Sequence, residues 1–370
     1  MTPPMTPSLP EANPIIRADL EAIAAADLPW EDLRGKTVMV SGGAGFLAAY
    51  VVKALLAASR LRGLELRVVC VVRRAAGVAM RLGGCIGAAD FSVFEHDIGL
   101  PPPADFPAAD VIIHAASQAS PKFYGVDPVG TLLANSSGTQ YLLEHARRHQ
   151  ARFLFFSSGE VYGVPREPQR AVAETDYGYL DPMNVRACYG ESKRMGEAMC
   201  VAWAKQYGLH ASVVRPFHTY GPGMALDDGR VFADFVADVV AGRDIVLNSD
   251  GAALRPFCYI ADATIGFLTV LLRGASAEAY NVGNPDAELS IRDLAALLAG
   301  LYPERGIGTR FNVAPASNAY LASPIARSCP AIDKVAALGW SPSTGVAQGF
   351  RRTIDSFLQS QTPAPARAST

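Results

Sequence analysis

Tyr189 and Lys193 stand four residues apart in the stretch Ala187-Cys-Tyr-Gly-Glu-Ser-Lys193. On a helix, positions i and i+4 share a face, so the phenol and the ammonium can point into one site. A free tyrosine titrates near about 10. To act as a base near neutral pH it must drop by about 3 units, roughly 4 kcal/mol. A lysine ammonium beside it supplies part of that. Such a base takes a proton from a hydroxyl while a hydride leaves the same carbon. Tyr-x-x-x-Lys alone also describes an ordinary solvated helix face, so its meaning depends on what accompanies it.

The hydride needs an acceptor, and the chain carries the turn that binds one. Val40-Ser-Gly-Gly-Ala-Gly-Phe-Leu47 follows a short apolar strand, Lys36–Val40, and opens a helix through Tyr50–Leu56. Gly42 and Gly45 in this position let backbone approach a pyrophosphate, which the helix N-terminus then holds. Ala48 occupies the place where a third glycine is common, and an alanine still permits close helix-to-sheet packing. The second strand ends Val71-Val-Arg-Arg74. A NAD site usually has an acid there for the ribose 2′-hydroxyl, whereas arginine suits a 2′-phosphate. Arg73 and Arg74 therefore make NADP an alternative to NAD, unless they are simply solvated at a strand end. An oxidised nicotinamide ring would add its charge to that of Lys193 in lowering the Tyr189 pKa.

These pieces must be positioned by a larger frame. The apolar runs at Lys36–Val40, Val68–Val72, Val111–His114 and Phe153–Ser157 read as buried strands, each followed by a helical pattern. Strand–helix alternation implies right-handed βαβ units and a parallel sheet. The expected fold is α/β: a Rossmann-type, doubly wound parallel sheet with a smaller α/β substrate-capping domain. Residues 1–34 read as an N-terminal arm with a short helix at Ala18–Ala26. Residues 35–214 read as the dinucleotide-binding domain, with 255–285 returning to it. Residues 215–358 read mainly as the substrate-binding part, with helices at Val231–Ala241 and Ile291–Leu301, and 359–370 as a disordered tail.

Composition narrows the function classes. The chain has 370 residues, 50% of them hydrophobic and 18% charged, enough for a sizeable core. A net charge of −2 speaks against nucleic acid or an anionic membrane as partner. No apolar run approaches the roughly 18 residues of a membrane span, and no secretory signal pattern opens the sequence. Cys70, Cys85, Cys188, Cys200, Cys258 and Cys329 show no Cys-x-x-Cys spacing and read as reduced residues of a cytoplasmic protein. The histidines form no ligand-spaced cluster, so no metal site is expected.

The ordered motifs resemble those of the extended short-chain dehydrogenase/reductase family, the nucleotide-sugar epimerases, dehydratases and decarboxylases. Over about residues 36–300 the likeness includes Gly42–Leu47, Asp97-Ile98, His114–Ser117, Asn135 with Gly138-Thr139, Ser157–Gly163, Tyr189 with Lys193, and Arg215–Pro222. Within the family it is strongest to the UDP-glucuronate decarboxylases (UDP-xylose synthases). Arg186–Tyr189 with Ser192–Glu197, Asp228–Phe232, Arg255–Tyr259 with Asp262, and Ala119–Pro121 carry that part.

The resemblance implies catalytic roles for Ser158, Glu160, Tyr189 and Lys193, with Ser158 as hydroxyl partner of Tyr189. It implies cofactor contacts by Gly42, Gly45, Phe46, Leu47, Asp97 and Ile98 (the last two against the adenine), and by His114, Ala115 and Ala116. It implies substrate contacts by Lys122, Tyr124, Glu160, His218, Arg230 and Arg255, with an arginine fork suiting a diphosphate. A nucleotide-diphosphate sugar is the expected substrate, and a bound, recycled NAD the expected cofactor. A homodimer is expected through a four-helix interface that uses Leu132, Leu133, Met195 and Met199.

Three departures matter. His218 replaces a usual Asn, Gly159 replaces a Ser or Asp, and Arg73 replaces the usual acid. Gly159 counts against 4,6-dehydration, which needs a second acid for the leaving hydroxyl. Glu160 counts against a simple 4-epimerase. Decarboxylation of UDP-glucuronate through a 4-keto sugar is thus the leading expectation. An epimerase or dehydratase-like enzyme is the alternative, and a catalytically silent dinucleotide-binding sensor a more distant one.

Overall fold

The computed structural model describes residues 11–167, 170–312 and 325–361. Its centre is a seven-stranded sheet: β1 (Thr37–Ser41), β2 (Arg67–Val72), β3 (Phe91–Glu95), β4 (Val111–His114), β5 (Arg152–Phe156), β6 (Ala211–Pro216) and β7 (Ala279–Val282). The order is β3-β2-β1-β4-β5-β6-β7, and every neighbouring pair is parallel. The order reverses between β1 and β4, where Ser41 lies opposite His114. Ligands of doubly wound sheets bind outside the strand ends at such a reversal.

The longer helices are α1 (Pro14–Ala25), α2 (Phe46–Arg62), α3 (Pro128–Asn135), α4 (Ser137–His149), α5 (Ala187–Tyr207), α6 (Val231–Ala241), α7 (Ile260–Arg273), α8 (Ile291–Leu301) and α9 (Val346–Gln361). Strand side chains alternate between two cores. Val38, Val40, Val68, Cys70, Val111 and Ile113 face α2 and α7. Met39, Val69, Val71, Ile112, Phe153 and Phe155 face Leu142 and Leu143 of α4 and Cys200 of α5. Both faces of the sheet are covered, which is why its strands are continuous apolar runs.

Residues 14–34, expected as an arm, are a packed layer. Asn13 caps α1 by accepting from Ile15 and Ile16 N–H (3.0 and 3.3 Å), and Pro14 takes the first helical position. Ile16, Leu20, Ile23 and Ala24 form one stripe and join the core beside α2. Buried Asp19 accepts from Tyr50 Oη and Tyr259 Oη, both at 2.7 Å, and pairs with Arg352 at 2.5 Å, tying α1 to α2, α7 and α9. The helix is thus longer than the Ala18–Ala26 stretch, and its packing comes from contacts distant in sequence. At the other end α9 runs to Gln361, so residues 359–361 are helical; residues 1–10 and the tail from 362 on lie outside the described residues.

The chain returns to the sheet after its first excursion: α7 and β7 both lie within 255–285. Over the strand ends sit α6, α8 and three short strand pairs, Thr219–Tyr220 with Cys258–Tyr259, Ile245–Leu247 with Thr309–Phe311, and Leu254–Pro256 with Glu288–Ser290. Buried Asp262, in the first turn of α7, anchors the connection into α9. It accepts from Ser343 N and Oγ (3.1 and 3.0 Å) and Thr344 N (2.7 Å).

Candidate active site

The glycine turn sits at the C-terminal end of β1. Gly42 has φ +69°, and a Cβ there would lie 2.5 Å from the Ala116 Cα. The turn therefore touches the backbone leaving β4, a contact only glycine permits. Gly45 precedes α2, and no side chain among the described residues caps the N-terminus of this helix. Its first N–H groups are available to an anion. Gly45 is exposed, Phe46 and Leu47 are half-buried, and Ala48 packs into the core. Arg81, which no motif flagged, clamps this turn to the capping part: it donates to Ala44 O and Gly223 O, both at 3.1 Å. A glycine cradle, an uncapped helix N-terminus and the sheet's reversal point fit a dinucleotide.

Around the cradle the expected cofactor residues divide into two kinds. Arg73, Arg74 and Asp97 are exposed at strand ends, with Asp97 accepting from Gly99 N–H at 2.9 Å. Ala115 and Ala116 are half-buried beside Gly42, their N–H groups donating to Ser41 O (3.2 Å) and Ser41 Oγ (3.3 Å). Ile98 and His114 point inward. Ile98 packs against Gly138, and His114 is a buried link. Its Nδ1 meets Ser41 Oγ at 2.7 Å, and its Nε2 meets Thr139 Oγ1 at 3.1 Å and Ala134 O at 3.2 Å. Burial, with the charge of Lys193 adding, holds it down at about 3. His114 is a neutral brace that fixes the Ala115-Ala116 backbone, rather than a side chain in the cleft.

Helix α5 carries the expected base. Tyr189, Ser192, Lys193, Gly196 and Cys200 form its buried face. The Ser158 hydroxyl lies beside the Tyr189 phenol, close enough to draw its pKa down. Burial pushes the phenol up, Ser158 and the Arg230 charge pull it down, and Glu160 adds an upward push. The Lys193 ammonium lies 5.7 Å from the Tyr189 ring centroid and donates to Phe156 O at 2.6 Å. Burial lowers it to about 7, opposed by Glu197. Tyr124, expected at the sugar, is buried: its ring stacks on Tyr189 at 5.2 Å and its hydroxyl donates to Ala119 O at 3.1 Å. It backs Tyr189.

Glu160 forms an ion pair with Arg186, Nη1 to Oε2 at 3.0 Å and Nη2 to Oε1 at 3.4 Å. Between Ser158 and Glu160, Gly159 lies against the Phe217 ring; a Cβ there would be 3.1 Å from it. The segment Asp228–Arg230 meets the Ala119–Lys122 loop. Ser120 Oγ donates to Asp228 O, Lys122 Nζ to Asp227 O at 2.9 Å, and Arg230 to Ala119 O at 3.4 Å. Lys122 is thereby held on the exposed rim. His218 is half-buried, its Nδ1 has no hydrogen-bond partner among the described residues, and burial with the charges of Arg255 and Arg230 holds it down at about 3. Arg255 itself donates to Ile325 O at 2.9 Å and Ala326 O at 3.1 Å.

The sequence reading missed a second buried network. Glu197 takes a bidentate fork from Arg215 at 2.8 and 2.6 Å and a hydrogen bond from Ser157 at 2.5 Å. Arg215 also donates to Tyr162 Oη at 2.9 Å, and Tyr162 donates to Asn281 Oδ1 at 2.6 Å. This braces α5 across β5, β6 and β7. Arg215 and Glu197 lay inside quoted motifs, but their separation of 18 positions hid the pairing.

Comparison with known proteins agrees with this architecture. Residues 38–283 match the model of the NAD dependent epimerase/dehydratase family. UDP-glucuronic acid decarboxylase 1 of Xenopus tropicalis is 34% identical over 87% of this chain and 72% of its own length. UDP-glucuronic acid decarboxylase 6 of Arabidopsis thaliana is 35% identical over 70% of this chain and 72% of its own. Among solved structures, the UDP-glucuronic acid 4-epimerase of Bacillus cereus, in complex with UDP-glucuronic acid and NAD, superposes with TM-score 0.73 at 22% identity, covering 87% of this chain and 99% of that one. The UDP-glucose 4-epimerase of Thermotoga maritima gives 0.72 at 21% identity, with 88% and 100% covered. The chain belongs to the NAD dependent epimerase/dehydratase family.

Proposed function

We propose that this enzyme decarboxylates UDP-glucuronate to UDP-xylose through a 4-keto intermediate. The observation that carries the reading is Gly159. It leaves Glu160 as the carboxylate beside Ser158 and Tyr189 and puts no carboxylate where dehydration requires a second acid; the Phe217 ring, 3.1 Å from a Cβ placed there, also crowds that position. The relatives' own activities, named above, agree with it.

Each residue then has a task. Tyr189 takes the proton of the sugar's 4-hydroxyl, with Ser158 sharing a hydrogen bond at that oxygen. Bound NAD supplies the acceptor for the hydride on C4 and later returns it. The resulting 4-keto acid carries its carboxylate one carbon from the carbonyl. Its C5–carboxylate bond breaks, and the electron pair moves onto the C4 oxygen, where the Tyr189 hydroxyl and Ser158 donate. C5 takes a proton from water, and Tyr189 gives its proton back to O4 as the alcohol re-forms. Lys193 stabilises the phenolate. Arg230, Arg255 and His218 offer donors for the diphosphate. The exposed Arg73 and Arg74 would tolerate the 2′-phosphate of NADP at the ribose end.

Two further parts of the reading concern assembly and place. Leu132, Leu133 and Met195 are 39%, 42% and 51% exposed on the outer faces of α3 and α5, a surface suited to a second copy. Met199, expected there too, is partly buried against the core of its own subunit. A cytoplasmic location is supported by six buried cysteines, all free. The reaction is tested by incubating purified enzyme with UDP-glucuronate, UDP-glucose and UDP-galactose and weighing the products. Loss of carbon dioxide from UDP-glucuronate alone is expected. Interconversion of the neutral pair in its place would overturn the proposal.

A further inference from the structure

Rests on the substrate class just proposed, a carboxylate must enter beside Tyr189, and the charge already standing there is Glu160. The glutamate is close enough to push up both the Tyr189 and the Tyr124 phenols. A sugar carboxylate brought to the same place meets like charge in a site of low dielectric, where such repulsion is strong. Something must cancel it.

Arg186 is placed to do so. It stands one turn before Tyr189, at the start of α5, with a side chain only 12% exposed. Its guanidinium forks onto Glu160 at 3.0 and 3.4 Å and lies 6.0 Å from the Tyr124 ring centroid; that ring stacks on Tyr189 at 5.2 Å. The charges acting on the Tyr124 phenol are Glu160, Arg230 and Arg186, whereas those acting on His218 are Arg255 and Arg230. The cations thus form two groups that share Arg230. One group faces His218 and suits the diphosphate. The other, Arg186 with Glu160, lies on the side of the reacting tyrosine, where the carbon next to the oxidised one carries its carboxylate.

We propose that Arg186 is the residue that sets specificity for a carboxylate-bearing sugar. Bound to Glu160 it makes a neutral pair, and a guanidinium, with five N–H donors in a fixed fork, can serve two carboxylates at once. Glu160 in turn fixes the guanidinium, so the donor is in place before substrate arrives.

The test measures binding by calorimetry in the NAD-loaded protein, comparing UDP-glucuronate with UDP-glucose, which differ only in the group on C5, a carboxylate against a hydroxymethyl. In Arg186→Met, affinity for UDP-glucuronate is expected to fall at least tenfold, about 1.4 kcal/mol, while that for UDP-glucose stays within about twofold. Arg186→Lys should recover part of the loss. Glu160→Gln combined with Arg186→Met should also recover part, because the repelling charge has gone. Equal weakening of both ligands would show a merely structural role and overturn the inference, as would no weakening of either. Circular dichroism and NAD fluorescence confirm that each variant is folded and loaded. The two readings fail separately. If the parent enzyme releases carbon dioxide from UDP-glucuronate yet Arg186→Met weakens both ligands alike, only the role of Arg186 falls. If the parent releases none and does not prefer the carboxylate, both fall.

Discussion

At Tyr189 burial and hydrogen bonding oppose each other. Burial favours the neutral phenol, and Ser158 and Arg230 favour the phenolate. A base in this setting depends on its neighbours, so Tyr189→Phe is expected to lower kcat at least a hundredfold, about 2.7 kcal/mol of barrier, while NAD binding measured by fluorescence is retained. Turnover within tenfold of the parent would refute the assignment. Lys193 gives a second prediction. Burial holds its pKa in the folded protein at about 7, below the ordinary lysine value of 10.5. Between those values the unfolded chain binds more protons than the folded one, so the lysine's contribution to stability rises with pH across this window and is lost as pH falls towards 7. The unfolding free energy of the parent should therefore gain on that of Lys193→Met between pH 7 and 10.5, measured by urea denaturation at several pH values. A constant difference would mean that the ammonium is not desolvated.

Among the elements, the glycine turn and α7 make separable claims. Gly42→Ala puts a methyl 2.5 Å from the Ala116 Cα at a φ of +69°. NAD affinity should fall at least tenfold, because the turn must move off β4 to relieve the clash. Asp262→Ala should instead cost about 1–3 kcal/mol of stability in denaturant unfolding, because buried Asp262 is the acceptor that ties residues 343–344 to α7, and should not change NAD affinity. These elements also show what a sequence reveals. The glycine turn and the Tyr189–Lys193 helix were legible because their chemistry is set by residues within one turn of each other. Helices α6 and α8 were bounded correctly by their apolar periodicity. Strand β3 went unread because it is an edge strand with only Phe91 fully buried, so it has no apolar run. Helix α1 was read as part of an arm because the partners of Asp19 are Tyr50, Tyr259 and Arg352. Arg186 was quoted in a motif, but its pairing with Glu160 spans 26 residues and appears only in three dimensions.

The whole molecule is a parallel sheet with a glycine turn at its reversal point and a cap that brings Arg230 and Arg255 near His218. Its outer α3–α5 face is expected to pair with a second copy: light scattering at micromolar concentration should give a dimer, and Leu133→Glu should shift it towards monomer. A monomeric parent would contradict that interface. The sheet, the cradle and the Tyr189–Lys193 pair are compatible with several reactions on a sugar nucleotide; the chemistry at C5 separates them. The most direct measurement uses UDP-glucuronate labelled in its carboxyl carbon. Labelled carbon dioxide is expected in step with UDP-xylose, one for one, with no net change in NAD. Retention of the label, together with conversion of a neutral sugar nucleotide to its epimer, would contradict it.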